Sequence, residues 1–137
     1  MKQRILVCGS RNYGQEKFEY WIIRTILDEL LRHWRDHNSD KMTLIEGGGK
    51  GADSVAFDWA RDEYLRVDHL SFPADWDTYG KAAGPIRNQQ MLDEGRPDLV
   101  LAFTSNLKES KGTKDMVTRA AKAGVEVRII ETTSIVP

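Results

Sequence analysis

Short apolar runs alternate with segments of helical periodicity along the whole chain, and no other feature constrains the fold as much. Ile5-Leu6-Val7-Cys8, Met42-Thr43-Leu44-Ile45 and Leu99-Val100-Leu101-Ala102-Phe103 have the look of strands buried on both faces, as in a parallel sheet. Val67 to Phe72 alternates as a further strand, which Pro73 ends because proline has no N–H to give a ladder. Val125 to Ile130 supplies the fifth. Between them, Phe18, Trp21, Ile22, Ile26, Leu30 and Trp34 recur at helical steps from Lys17 to Trp34, as do Ala52, Val55, Ala56, Trp59 and Ala60. Pro85 suits a first helical position for a helix over Ile86 to Glu94, which Gly95 and Pro97 stop. Met116, Val117, Ala120 and Ala121 mark one more helix, closed by Gly124. His37-Asn38-Ser39-Asp40 supplies a turn, and the stretches Asp75 to Gly84 and Thr104 to Lys111 read as loops.

Strands joined by helices require right-handed crossovers, which place helices on both faces of a parallel sheet. With no internal repeat and no linker, residues 1–137 are expected to form a single α/β domain, a doubly wound sheet of about five strands in the order 3-2-1-4-5. A chain of 137 residues is long enough to bury such a core without disulfides or metal. In this order the ligand crevice lies beyond the carboxyl ends of the strands, at the switch between strands 1 and 4. The loops after strands 1, 2, 3 and 4 all open on that edge.

Gly47-Gly48-Gly49-Lys50-Gly51-Ala52-Asp53 follows the second strand and leads into a helix. Glycines let the backbone approach an anion closely, and the first N–H groups of the helix point at the same spot. The run formally fits the dinucleotide pattern G-x-G-x-x-G/A, but that pattern belongs after the first strand. Lys50 is not followed by Ser or Thr, which argues against a P-loop. A tight turn with no ligand remains the plain structural alternative. Gly9, Ser10 and Arg11 place a flexible backbone, a hydroxyl and a guanidinium at the crevice, or simply form a turn with a solvated arginine. Gly112 and Thr113 make either a second N–H cradle or an ordinary helix cap. Asp75, Trp76, Lys81, Arg87 and Asn88 fall in one loop and helix start. Trp76 either packs beneath the loop or, like Tyr79, stacks on a base, and Lys81 and Arg87 can answer phosphate. Arg87 in a first helical turn would oppose the helix dipole, a placement that hints at function.

The totals narrow the partners. A net charge of −1 lacks the basic excess of a protein that holds duplex nucleic acid by phosphate neutralisation, so nucleic acid is the weaker reading. Cys8 is the only cysteine. It reads as a small buried residue beneath the sheet, in a chain suited to a reducing compartment. No apolar stretch approaches membrane-span length, and with no signal segment the expected location is the cytoplasm. His33, His37 and His69 show no metal-ligand arrangement, so neither metal nor cofactor is expected. Trp21, Trp34 and Trp59 lie on apolar helical faces and read as core. The first helix nevertheless carries more apolar residues than one sheet contact needs, Trp21, Leu31 and Trp34 among them, which predicts a homodimer.

Five motifs in order resemble the YspA-like, YpsA-related branch of the SLOG superfamily: Ile5 to Arg11, Glu46 to Asp53, Phe72 to Trp76, Gly80 to Asn88 with Met91, and Gly112 to Met116. The superfamily also holds the LOG-type nucleoside-monophosphate phosphoribohydrolases and the DNA-processing protein DprA. The resemblance implies a Rossmann-like fold and a nucleotide-derived ligand at the strand ends. The glycine-rich turn of the LOG enzymes resembles Gly47 to Gly51, their catalytic arginine has an R-x-x-x-M context like Arg87 to Met91, and their second phosphate loop ends in Gly-Thr like Gly112-Thr113. Their catalytic glutamate stands three residues after that threonine, where this chain has Met116. Asp115 is one residue early, about 100° around a helix. The readings that follow are a nucleotide-binding module or sensor; an enzyme acting on a nucleotide derivative, with Arg87 as stabiliser and Asp53, Asp75 or Asp115 as acid or base; and, third, a DprA-like nucleic-acid binder.

Overall fold

The computed structural model describes residues 3–37 and 41–132. Five strands, β1 (Arg4–Gly9), β2 (Thr43–Glu46), β3 (Asp68–Ser71), β4 (Leu99–Thr104) and β5 (Glu126–Glu131), form one parallel sheet in the order β3-β2-β1-β4-β5. The expected strand order is the observed one. β2 and β4 are buried along their whole length and β1 along its middle, whereas the edge strands β3 and β5 carry the exposed positions. This is why the central strands read as continuous apolar runs and the edges do not.

Side chains alternate across the sheet, and each face has its own core. Ile5, Val7, Leu44, Leu99, Leu101 and Phe103 pack with Ile23, Leu27 and Trp34 of α1 (Lys17–His37) and with Trp59 of α2 (Ala52–Ala60). On the other face Leu6, Cys8, Ile45, Val100 and Ala102 meet Met91 and Leu92 of α4 (Ala83–Gly95) and Met116 and Ala120 of α5 (Lys111–Lys122). Burying a large aliphatic or aromatic side chain contributes roughly 1.5–3 kcal/mol, so these two layers fix the strand ends against the helix starts.

The structure departs from the sequence-based expectations in several places, and within the expected loop Thr104 to Lys111 it has the end of β4, a 3-10 turn over Leu107–Glu109 and the first residue of α5. Asp75 to Gly84 is not a loop: Asp75 accepts a hydrogen bond from the Thr78 N–H at 3.1 Å and caps α3 (Trp76–Tyr79), and a 3-10 turn over Gly80–Ala82 runs on into α4. Four residues are too few to show periodicity. α4 therefore starts at Ala83, Pro85 is its third residue, and Arg87 its fifth. Proline is harmless there because N–H groups of a first turn have no intrahelical acceptor, but Arg87 lies past that turn and the dipole no longer opposes it. Trp21 is 54% exposed, not core. The buried stripe of α1 runs Ile23, Leu27, Leu31, Trp34, and at about 100° per residue Trp21 sits about 200° from Ile23. Trp34 and Trp59 are buried as expected. Finally, α5 begins at Lys111, and Gly112 and Thr113 are already inside it. Of the turn expected at His37 to Asp40, His37 is the last residue of α1, and Asn38 to Asp40 lie outside the described residues.

Candidate functional site

At the carboxyl edge of the sheet the loops after β1, β2, β3 and β4 surround an open cleft of about 1120 Å³. That exceeds the roughly 300–1,000 Å³ of common small-molecule sites. Of the expected site residues, Gly9, Ser10, Arg11, Gly47, Gly48, Gly49, Asp53, Trp76, Lys81, Arg87, Asn88, Gly112, Thr113 and Asp115 line it. Gly51, Ala52 and Asp75 do not. Asp75 is occupied as the cap of α3. Gly51 and Ala52 act behind the wall: a Cβ on Gly51, whose φ is +79°, would come within 2.2 Å of the Ser10 carbonyl oxygen, and a Cβ on Gly9 would lie 2.3 Å from the Phe103 carbonyl oxygen and 2.7 Å from the Ala52 Cβ. Both glycines let the β1 loop, β4 and the start of α2 close on one another.

The glycine turn after β2 is already supplied with acceptors. Glu46, 1% exposed, takes the Gly48 N–H on Oε1 at 2.6 Å, and its Oε2 lies 2.9 Å from His69 Nε2. Asp53, 8% exposed, takes the Gly49 N–H on Oδ2 at 3.1 Å. Burial pushes the Asp53 carboxyl up from 3.8 to about 6, against the lowering effects of the Gly49 N–H and the Arg87 guanidinium. The donors expected to cradle phosphate thus face two carboxylates, an arrangement no reading of the glycines alone discloses. Arg87 closes the same end, donating from Nη1 to the Gly47 carbonyl oxygen and from Nε to Asn88 Oδ1 at 3.1 Å. Asn88 Nδ2 in turn donates to the Gly112 carbonyl at 3.2 Å and to Asp115 Oδ2 at 3.0 Å.

The opposite end is built differently. Ser10, Thr104 and Ser110 hydroxyls form a triangle with sides of 2.7, 2.6 and 2.8 Å, and Ser110 Oγ donates to the Asn106 carbonyl at 2.8 Å. The Ser110 side chain therefore caps no N–H of α5, and the N–H groups of a helix start have no intrahelical acceptor. Those of Gly112 and Thr113 belong to residues lining the cleft, with Lys111 beside them. Thr104, Ser110 and Lys111 were not among the expected residues; Ser110, directly before a helix start, is a standard cap position and was the available signal. At the mouth the Arg11 guanidinium carbon lies 5.6 Å from the Trp76 ring centroid, a cation–π pair with both partners exposed.

Two residues bear on hydrolytic chemistry. Met116 is fully buried in the core beneath the sheet. Asp115 does line the cleft, but its Oδ2 is held by Asn88 and by Arg119 Nε at 2.8 Å. Cys8 also lines the cleft, and burial raises its thiol far above the ordinary value, with Asp53 adding to this and Arg87 opposing it. The thiolate is the reactive form, so Cys8 is a wall residue. Among the described residues no group of three His, Cys, Asp or Glu side chains gathers as metal ligands, and no helix is long and apolar enough to cross a membrane.

Comparison with known proteins agrees with this architecture. A family model described as the YspA, cpYpsA-related SLOG family matches residues 3–79, from β1 through α3. The "Gene 61 protein" of Mycobacterium phage D29 is 34% identical over 128 residues, covering 91% of this chain and 94% of that protein. The chain belongs to the YspA, cpYpsA-related SLOG family.

Proposed function

We propose that the cleft binds a nucleotide or a nucleotide-derived small molecule, and that the protein works as a binding module or sensor. One observation carries this reading: uncapped helix N–H groups at Gly112 and Thr113, with Lys111, share a single cleft with an exposed Arg11–Trp76 pair. The helix start with its lysine suits a phosphate, through N–H donors and the positive end of the helix dipole. The aromatic and guanidinium faces suit a base. Family membership, which points to a nucleotide-related binding or processing role, supports the same reading. Arg87 and Asn88 join the β2 end of the cleft to α5, so they shape the site for both halves of such a ligand.

Binding is favoured over hydrolysis because Met116, which stands at the expected catalytic position, is fully buried in the core. A location in a reducing cytoplasm suits the single unpaired thiol of Cys8. The proposed homodimer now rests on Phe18 and Trp21 alone, since Leu31 and Trp34 are buried in the core. The binding reading is tested by thermal shift with nucleoside monophosphates, ADP-ribose, cyclic nucleotides and the unphosphorylated nucleosides. Ligand at 100 times its Kd stabilises by about 2.7 kcal/mol, so a phosphate-bearing compound should raise Tm and its nucleoside should not. No shift with any of them at millimolar concentration refutes the reading.

A further inference from the structure

Hydrogen-bond direction differs between the two ends of the cleft, and it follows the strand order. Along the edge β3-β2-β1-β4, the start of α3 after β3 brings Trp76, the start of α2 after β2 brings Asp53, the loop after β1 brings Ser10 and Arg11, and the start of α5 after β4 brings Gly112 and Thr113. In chemical terms this is a stacking face, a buried carboxylate, a hydroxyl and guanidinium, and a set of N–H donors. We propose that the β2 end of the cleft reads the hydroxyl groups of a ribose through Asp53, so that the ligand is a ribonucleotide and not its 2′-deoxy counterpart.

This proposal rests on the nucleotide reading above and adds the sugar to it. A phosphate is disfavoured at the β2 end because Gly48 and Gly49 already direct their N–H groups at Glu46 and Asp53, and an incoming anion would meet the Asp53 carboxylate. Glu46 is itself engaged on both oxygens, by Gly48 and His69, and does not line the cleft. Asp53 does line it. A carboxylate offers about four acceptor positions, of which the N–H groups of Gly49 and Gly47 fill at most two, leaving acceptors for hydroxyl donors. The Arg87 guanidinium, anchored on the Gly47 carbonyl, fixes this turn and keeps the carboxylate in place. Stacking face, acceptor and anion site then occur in the order in which a nucleotide presents base, sugar and phosphate.

A hydroxyl donating to a charged acceptor discriminates by about 10- to 100-fold against its absence. The test is calorimetric titration of the full chain and of Asp53→Asn with adenosine 5′-monophosphate and ADP-ribose, each beside its 2′-deoxy form on the adenosine-side or terminal ribose. The wild type should prefer one ribose-bearing probe over its deoxy partner by that factor, and Asp53→Asn should bring the ratio close to one. Equal binding of ribo and deoxy forms by the wild type, or an unaltered ratio in Asp53→Asn, overturns the sugar assignment and leaves the nucleotide reading standing. Binding of no probe refutes both.

Discussion

Replacing Asp53 by Asn should alter the pH dependence of stability in a direction opposite to that of a usual surface carboxylate. Burial raises the Asp53 carboxyl from 3.8 to about 6, with Glu46 adding to this and the Gly49 N–H and Arg87 opposing it. At about 1.4 kcal/mol per pH unit, this difference corresponds to about 3 kcal/mol. The sign follows from proton counting. Between about pH 4 and pH 6 the folded chain still holds the Asp53 proton that the unfolded chain has released, so this residue's contribution is greatest below pH 4, falls as pH rises through 6, and is flat above. Asn titrates nowhere in the range and keeps one carbonyl acceptor for the Gly49 N–H. Carboxylates that do not interact with Asp53 cancel in the difference between the two proteins. Urea unfolding at fixed ionic strength, followed by the fluorescence of the buried Trp34 and Trp59, should therefore show the stability of Asp53→Asn relative to wild type rising by about 2 kcal/mol from pH 4 to pH 7. A relative stability that stays constant within about 1 kcal/mol, or falls with pH, would mean that Arg87 compensates the buried charge, and the reasoning would be wrong.

Other substitutions probe how the cleft is built. Gly51→Ala, at φ +79° with the Ser10 carbonyl oxygen 2.2 Å from the new Cβ, should destabilise by at least about 2 kcal/mol in urea melts; a loss below 1 kcal/mol would show that the β1 loop yields freely. Ser110→Ala removes hydrogen bonds to Ser10, Thr104 and Asn106 and should cost about 1–2 kcal/mol, with faster amide exchange at the start of α5; unchanged exchange there would refute the role of the hydroxyl triangle in tying α5 to β1. Trp21→Ser should convert a dimer to monomer in light scattering; a wild type that is already monomeric removes the homodimer proposal.

What the sequence disclosed, and what it did not, divides along the range of the interactions. β1, β2 and β4 were legible because strands buried on both faces must be apolar throughout, and the helices between them pointed to a doubly wound sheet, of which 3-2-1-4-5 was the favoured order. The glycine turn was legible as a turn. Its hydrogen bonding was not, because only the fold decides whether Glu46 and Asp53 bend back onto Gly48 and Gly49. The hydroxyl triangle joins Ser10 to partners 94 and 100 residues away, a distance that no local pattern spans. Trp21 misled because its spacing fits an apolar stripe on nearly the opposite side of α1 from the one that packs on the sheet, and α3 escaped notice because a four-residue helix depends on its cap, Asp75, more than on periodicity.

Amide chemical-shift mapping during titration with adenosine 5′-monophosphate and ADP-ribose shows whether one cleft at the strand ends takes a phosphate-bearing nucleotide with its phosphate at the start of α5. Saturable shifts should cluster at Ser10, Arg11, Gly49, Asp53, Gly112 and Thr113, with the largest at Gly112 and Thr113. Saturable shifts confined to another surface, or none with either compound at millimolar concentration, would mean that this cleft is not the nucleotide site.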